Sequence, residues 1–244
     1  MKVRVLFAQS ILLVLTLLAS TASALTVPER LIYDVSWSGI KAGSAIQEVY
    51  VRGGELHIVN TIRSSGLLSA VFSVDDKTES VIPLNNPASL PRFFKEAINE
   101  GKTHTVKEAR FNFTDLNVDT TDLLKKSSKS DPISDKTYDS LSSIYFIRSC
   151  ELAPGQSIFF ELYDFKRLWN AEVRVMKREQ IHTRLGDFKT IKVSSQLKFK
   201  GVPSRVGNTT VWLTDDSRRI PVMITTKLKV GEITLTLVGG SYWS

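Results

Sequence analysis

The sequence is short of three things: it has a single cysteine and three histidines in 244 residues, and no long apolar run after Leu18. One thiol excludes a disulfide-stapled scaffold and a cysteine-rich zinc site. The histidines, His57, His104 and His182, are scattered, with no His-x-x-x-His spacing to seat a metal on one element. Also missing are a Gly-x-Ser-x-Gly elbow, a phosphate-cradling glycine loop and a dinucleotide fingerprint. What is present is ordinary globular composition, 42 % apolar and 23 % charged, with 13 Gly and 8 Pro. That excludes wholesale disorder, a collagen-like repeat and a polytopic membrane protein.

The first residues read as an address. Lys2 and Arg4 precede the apolar stretch Val5 to Leu18, and Ala22-Ser23-Ala24 supplies small residues at a signal-peptidase site. The apolar core is shorter than the roughly 20 residues a bilayer span needs. The expectation is a secretory leader over residues 1–24, cleaved after Ala24, and one β-rich domain over 25–244 that is soluble in the periplasm, with no transmembrane segment in the mature chain. With Cys150 alone in an oxidising space, stability must come from a buried core. Cys150 follows Ile144-Tyr145-Phe146-Ile147 and reads as a small buried hydrophobe.

Beyond the leader the patterning is mostly of period two. Leu31, Tyr33, Val35 and Trp37 share one face while Asp34 and Ser36 take the other. Ser44 to Val51 and Glu55 to Arg63 follow, separated by glycine turns, as a β-meander. Further strands are predicted over Lys77–Ile82, Arg92–Asn99, Thr103–Phe113 with a weaker run on to Leu124, Ser157–Tyr163, Trp169–Lys177, Phe188–Phe199, Thr209–Thr214, Ile220–Val230 and Glu232–Leu237. Leu67 to Phe72 reads as a helical turn or a buried bend, and the polar stretch Asp119 to Tyr138 as a loop. The clearest helix is Asp139 to Arg148: Asp139 can cap it, and Leu141, Ile144, Tyr145 and Arg148 share a face. The fold class is therefore all-β with one or two short helices. Its apolar face must be covered, so the sheet is a large curved antiparallel one, a barrel or half barrel.

Three segments carry a resemblance. They are Glu29-Arg30-Leu31-Ile32-Tyr33-Asp34-Val35-Ser36-Trp37 with Gly39 and Ala42-Gly43, the helix Asp139 to Arg148, and Val211-Trp212-Leu213-Thr214-Asp215-Asp216-Ser217-Arg218-Arg219-Ile220-Pro221-Val222. In that order the chain, from about Glu29 to Leu237, resembles the exported bacterial domain-of-unknown-function 3108 family. The resemblance implies a Gram-negative envelope protein of β-rich fold. It implies no activity and brings no catalytic residues.

Motifs that match reactive sites in letters have structural readings. Ser195-Gln196-Leu197-Lys198 matches Ser-x-x-Lys in letters, but residues three apart on a strand point to opposite faces. Asp75-Asp76 and Asp215-Asp216 are paired carboxylates, and the second pair sits where turns favour Asp. The net charge of +7 comes from dispersed Lys and Arg, which fits a solvated surface or attraction to anionic envelope material rather than nucleic acid. No cofactor, metal site or catalytic residue is expected from local motifs; an enzyme would need a long-range convergence, for which Asp34, Arg148 and Asp215 are the candidates.

Two roles remain open. In one, the protein is non-catalytic and its concave sheet shelters a lipid or other apolar ligand. Trp37, Phe72, Phe146, Phe160, Trp169 and Trp212 would line or plug the cavity, with the 139–148 helix as a lid. In the other, it is an envelope assembly factor that pairs a sheet edge with another protein, without a small-molecule ligand.

Overall fold

The computed structural model describes residues 25–66, 69, 73–86, 89–203 and 208–243. The expected leader, residues 1–24, and Leu67, Leu68, Ala70, Val71 and Phe72 of the predicted bend, lie outside the described residues.

The strands are β1 (Glu29–Trp37), β2 (Ile40–Arg52), β3 (Glu55–Ser64), β4 (Asp75–Pro83), β5 (Phe93–Glu100), β6 (Thr103–Asn112), β7 (Asn117–Asp122), β8 (Ser127–Pro132), β9 (Thr137–Tyr138), β10 (Ser157–Tyr163), β11 (Leu168–Thr183), β12 (Gly186–Phe199), β13 (Val202–Pro203), β14 (Thr209–Thr214), β15 (Pro221–Lys227) and β16 (Glu232–Gly240). One helix, α1 (Ser142–Ser149), lies between β9 and β10. The strands form one sheet in the order β8-β7-β6-β5-β4-β3-β2-β1-β16-β15-β14-β12-β11-β10-β9, with β13 on β12. The first and last strands thus meet in the middle, with Trp37 opposite Ile233 and Leu31 opposite Gly240. Two antiparallel wings spread from that seam. Among the described residues the one parallel pair is β9 with β10, so the sheet is mixed.

The sheet does not close through backbone hydrogen bonds. Its ends are drawn together by side chains instead: the Tyr163 hydroxyl of β10 lies 2.8 Å from Thr120 Oγ1 of β7 and donates to Asp131 of β8 at 2.7 Å. Phe111, Val118 and Ile133 of one end pack with Tyr163 and Phe165 of the other. The result is barrel-like and open. Curling hides one face: Leu31, Tyr33 and Val35 of β1 are buried, as the alternation requires, and so is Glu29 of the same parity.

The structure corrects the polar-loop expectation for 119–138. Residues 117–132 form the hairpin β7–β8, and Ser127–Pro132 is a strand exposed along nearly all its length. It is an edge strand, and Ser and Lys there discourage further pairing, so its composition mimics a loop. The helix begins at Ser142 rather than Asp139, but Asp139 still caps it. Its Oδ1 accepts the amides of Leu141 and Ser142 at 2.8 and 2.9 Å, and its Oδ2 accepts the Ser80 hydroxyl at 2.7 Å.

Candidate functional site

The helix α1 lies inside the curl and divides the interior. One flank, Leu141 and Tyr145, joins the apolar cluster of the first wing. On the same flank Arg148, one turn beyond Tyr145, makes a bidentate pair with Glu29, both N···O distances being 2.7 Å. The Glu29 oxygens also accept the hydroxyls of Tyr145 and Tyr242, each at 2.9 Å. Gln47 donates to Tyr145 at 2.8 Å, and Arg148 donates to the Arg218 carbonyl. Burial alone would raise the Glu29 carboxyl, but the Arg148 fork and the two tyrosines outweigh it and hold it below the usual carboxylate range. With its acceptors filled and both charges buried, this network fixes the helix against β1. It offers no free group for chemistry.

The other flank of α1, with Ile144 and Ile147, faces a cavity of about 350 Å³ walled by Phe160, Ala171, Val193 and Val211 of the second wing.

A larger cavity, about 640 Å³, opens at the end of the seam. Its wall is built from the ends of strands: Val35 and Trp37 of β1, Ala42 and Gly43 of β2, Ile62 of β3, Val74, Leu235 of β16 and Leu228 and Val230 of the loop before it. Local geometry makes this wall. Ser38 and Gly39, both at positive φ, turn β1 into β2 in two residues, so Trp37 faces Ile40 across the hairpin. At Gly43 the backbone of β3 comes so close that any Cβ would run into the Arg63 carbonyl. The β15–β16 loop is tied to the same hairpin, with Trp37 Nε1 donating to the Val230 carbonyl at 3.2 Å and the Ser38 amide to that of Glu232 at 2.8 Å. One side of the wall is acidic. Asp76 and Glu100 reach it, and Asp76 accepts the Asn99 amide at 2.7 Å. Burial, then the neighbouring Asp76, push the Glu100 carboxyl up. Further in on the same face of β5, burial raises Glu96 to about 6.

The six aromatic residues singled out in the sequence do not gather at one place. Trp37 lines the larger cavity and Phe160 the smaller. Phe146 stacks on Tyr138 at 4.5 Å and meets Phe160 edge-on. Trp169 donates to Asp164 and packs on Phe199. Trp212 stands on the opposite face of β14 from the cavity-lining Val211, and donates to Glu179 at 2.9 Å. Phe72 lies outside the described residues. Leu228, Val230, Ile62 and Leu235 were not singled out as cavity residues. The signal available for them was the turn at Val230-Gly231, whose exposed apolar residues a solvent-facing turn does not need.

Other candidate chemistry is accounted for locally. Asp34, Arg148 and Asp215 do not converge: Asp34 pairs with Lys41 and Arg184, Arg148 with Glu29, and Asp215 with Arg178 and Arg219. Asp216 caps its turn, accepting the Thr214 hydroxyl and the Arg218 amide. Ser195 Oγ accepts the Thr209 amide while Lys198 pairs with Glu172. The Cys150 thiol donates to the Phe146 carbonyl, and burial pushes its pKa up, the opposite of what a nucleophile needs. Among the described residues no group of three or more His, Cys, Asp or Glu is placed to hold a metal. No helix among them is long and apolar enough to cross a membrane.

Fold and site together define a class: an open, barrel-like curved sheet whose interior is plugged in the middle and hollow at one end. The chain belongs to the family described as protein of unknown function DUF3108, whose model matches residues 32–238. The β-barrel-like protein of domain of unknown function DUF1849 from Brucella abortus is similar in fold, with a TM-score of 0.65 over 87% of this chain and 96% of that one at 12% identity. A protein presumed to be exported, with a YmcC-like fold, from Bacteroides fragilis covers 88% of this chain and 95% of its own at 8% identity. Its TM-score of 0.36 is too low to argue from. No curated protein matches.

Proposed function

We propose that the chain is an exported periplasmic protein, its leader removed after Ala24, that holds a lipid or other apolar ligand without transforming it. The supporting observation is the 640 Å³ cavity, whose wall of Val35, Trp37, Ile62, Leu228, Ile233 and Leu235 is apolar on most sides. Its size is that of a small-molecule pocket, and a wall of this kind is favourable to leave water only when something apolar fills it. Asp76 and Glu100 at one side give an amphiphile a place for a hydrogen-bond-donating head. The alternative, pairing a sheet edge with another protein, has weaker support: β8 presents Ser and Lys outward, and β9 is two residues long and buried.

The test is uptake of an environment-sensitive apolar dye and its displacement by extracted envelope lipids. Leu235→Trp, which fills the cavity from its wall, is expected to abolish uptake. A wild-type protein that takes up no dye, or a Leu235→Trp protein that takes it up equally well, refutes the reading.

A further inference from the structure

We infer that the end of the sheet at which the larger cavity opens docks on an anionic phospholipid bilayer. This deepens the ligand reading and rests on it only for what happens after docking. In an antiparallel sheet every second turn falls at the same end, and here that end receives the turns β1–β2, β5–β6, β7–β8, β10–β11 and β15–β16. These turns present exposed apolar side chains: Trp37, Ile40 (68% exposed), Leu123, Leu124, Leu228 and Val230 (73%). They also present exposed lysines, namely Lys102, Lys125, Lys126, Lys166, Lys227 and Lys229.

Among the described residues none of those six lysines makes an ion pair. Besides Glu100 and Glu232, this end carries carboxylates that are turned to local work. Asp164 accepts Trp169 Nε1 and the amides of Lys166 and Arg167, Asp122 accepts the Lys125 amide, and Asp76 that of Asn99.

The opposite end is built differently. It exposes Val51, Leu84 and Leu116, and more of its charges are paired: Arg92 with Glu55, Arg178 and Arg219 with Asp215, and Arg218 with Asp216, while Arg52 and Lys189 are its cations without an ion pair among the described residues. Unpaired lysines interleaved with a tryptophan and aliphatic tips are the combination that binds an anionic lipid surface. The lysines meet the headgroups, and the tips enter the boundary below them. The same Trp37, Leu228 and Val230 form the mouth of the cavity, so a docked molecule would present that mouth to the lipid.

The experiment is co-sedimentation with phosphatidylethanolamine vesicles, with and without phosphatidylglycerol. It uses protein purified in the form the cell makes, its N-terminus read by mass. Binding is expected only with phosphatidylglycerol and is expected to weaken with salt. Lys227→Glu/Lys229→Glu is expected to lower affinity about 25-fold or more, and Ile40→Asp roughly tenfold. Leu84→Asp, at the far end, is expected to leave it unchanged. Equal binding to vesicles lacking phosphatidylglycerol, or equal loss in Leu84→Asp, overturns the proposal. So does undiminished binding by properly folded Lys227→Glu/Lys229→Glu. Dye uptake in vesicle-free solution separates the two readings. Uptake should survive Lys227→Glu/Lys229→Glu, whose side chains do not line the cavity. Vesicle binding by a wild-type protein that takes up no dye would leave docking standing and remove the ligand.

Discussion

The middle of the curl and its open end solve opposite problems. In the middle, a carboxylate and a guanidinium are buried together, and every strong partner is supplied by the protein: Glu29 by Arg148, Tyr145 and Tyr242, and Arg148 by the Arg218 carbonyl as well. At the open end, apolar wall is made and then left unfilled, with Val230 and Trp37 reaching solvent. The comparison teaches that the buried polar lock and the open cavity are housed apart. A closed polar lock holds the helix and the first strand in place, and the hollow mouth can vary without loosening that lock.

The sharpest way to break this comparison is to open the lock. Arg148→Met leaves the Glu29 charge buried without its partner and is expected to cost about 3–5 kcal/mol, measured by urea unfolding. Adding Glu29→Leu to it should restore part of the loss, because two apolar residues leave no stranded charge. Next comes the seam of the mouth. Gly43→Ala drives a Cβ into the Arg63 carbonyl and is expected to cost roughly 1–3 kcal/mol. A full-strength native state in that variant would show that β2 and β3 can part there freely.

A pH series distinguishes the two regions further. Glu29 has its pKa depressed in the folded protein, so its contribution is present above the ordinary carboxylate value and is lost as pH falls through the folded one. Glu96 is the reverse. Its folded value of about 6 lies above the ordinary 4.5, so the folded state binds the extra proton and stability declines as pH rises between those values. Glu96→Gln should remove that decline, gaining up to about 2 kcal/mol near neutral pH relative to acid. A difference between variant and wild type that does not change with pH would contradict this. The smallest effect is expected at the cavity wall, where Leu235→Trp should alter stability by about 1 kcal/mol or less while removing dye uptake.

How much could be read from the sequence differs between these regions for physical reasons. The strands with one buried face announced themselves. Leu31, Tyr33 and Val35 alternate, and Ser157–Tyr163 and Thr209–Thr214 are strands with the predicted bounds. The edge strand β8 did not, because a strand with water on nearly every side carries no alternation. In β3 the alternation is blurred, since His57 and Val59 are buried as well as Leu56 and Ile58. There the His57 ring stacks on Tyr50 and pairs with Glu79. The lock was half legible: Arg148 was on the expected helix face, and Glu29 has the parity of Leu31 and Tyr33. Joining them needed the knowledge that residues 119 apart meet, which no local pattern encodes. The cavity was the least legible, because a wall that is apolar and unfilled has the same composition as one that is packed. Aromatic bulk therefore pointed to Phe146 and Trp212, which make local contacts, as readily as to Trp37.

The most direct test of the central claim is a native mass spectrum of the protein purified as the cell makes it, taken beside that of Leu235→Trp. The account predicts an added mass in the lipid range on the wild-type chain, released on denaturation and missing from the variant. A bare-chain mass for both, with no adduct after incubation with envelope lipids, would contradict it.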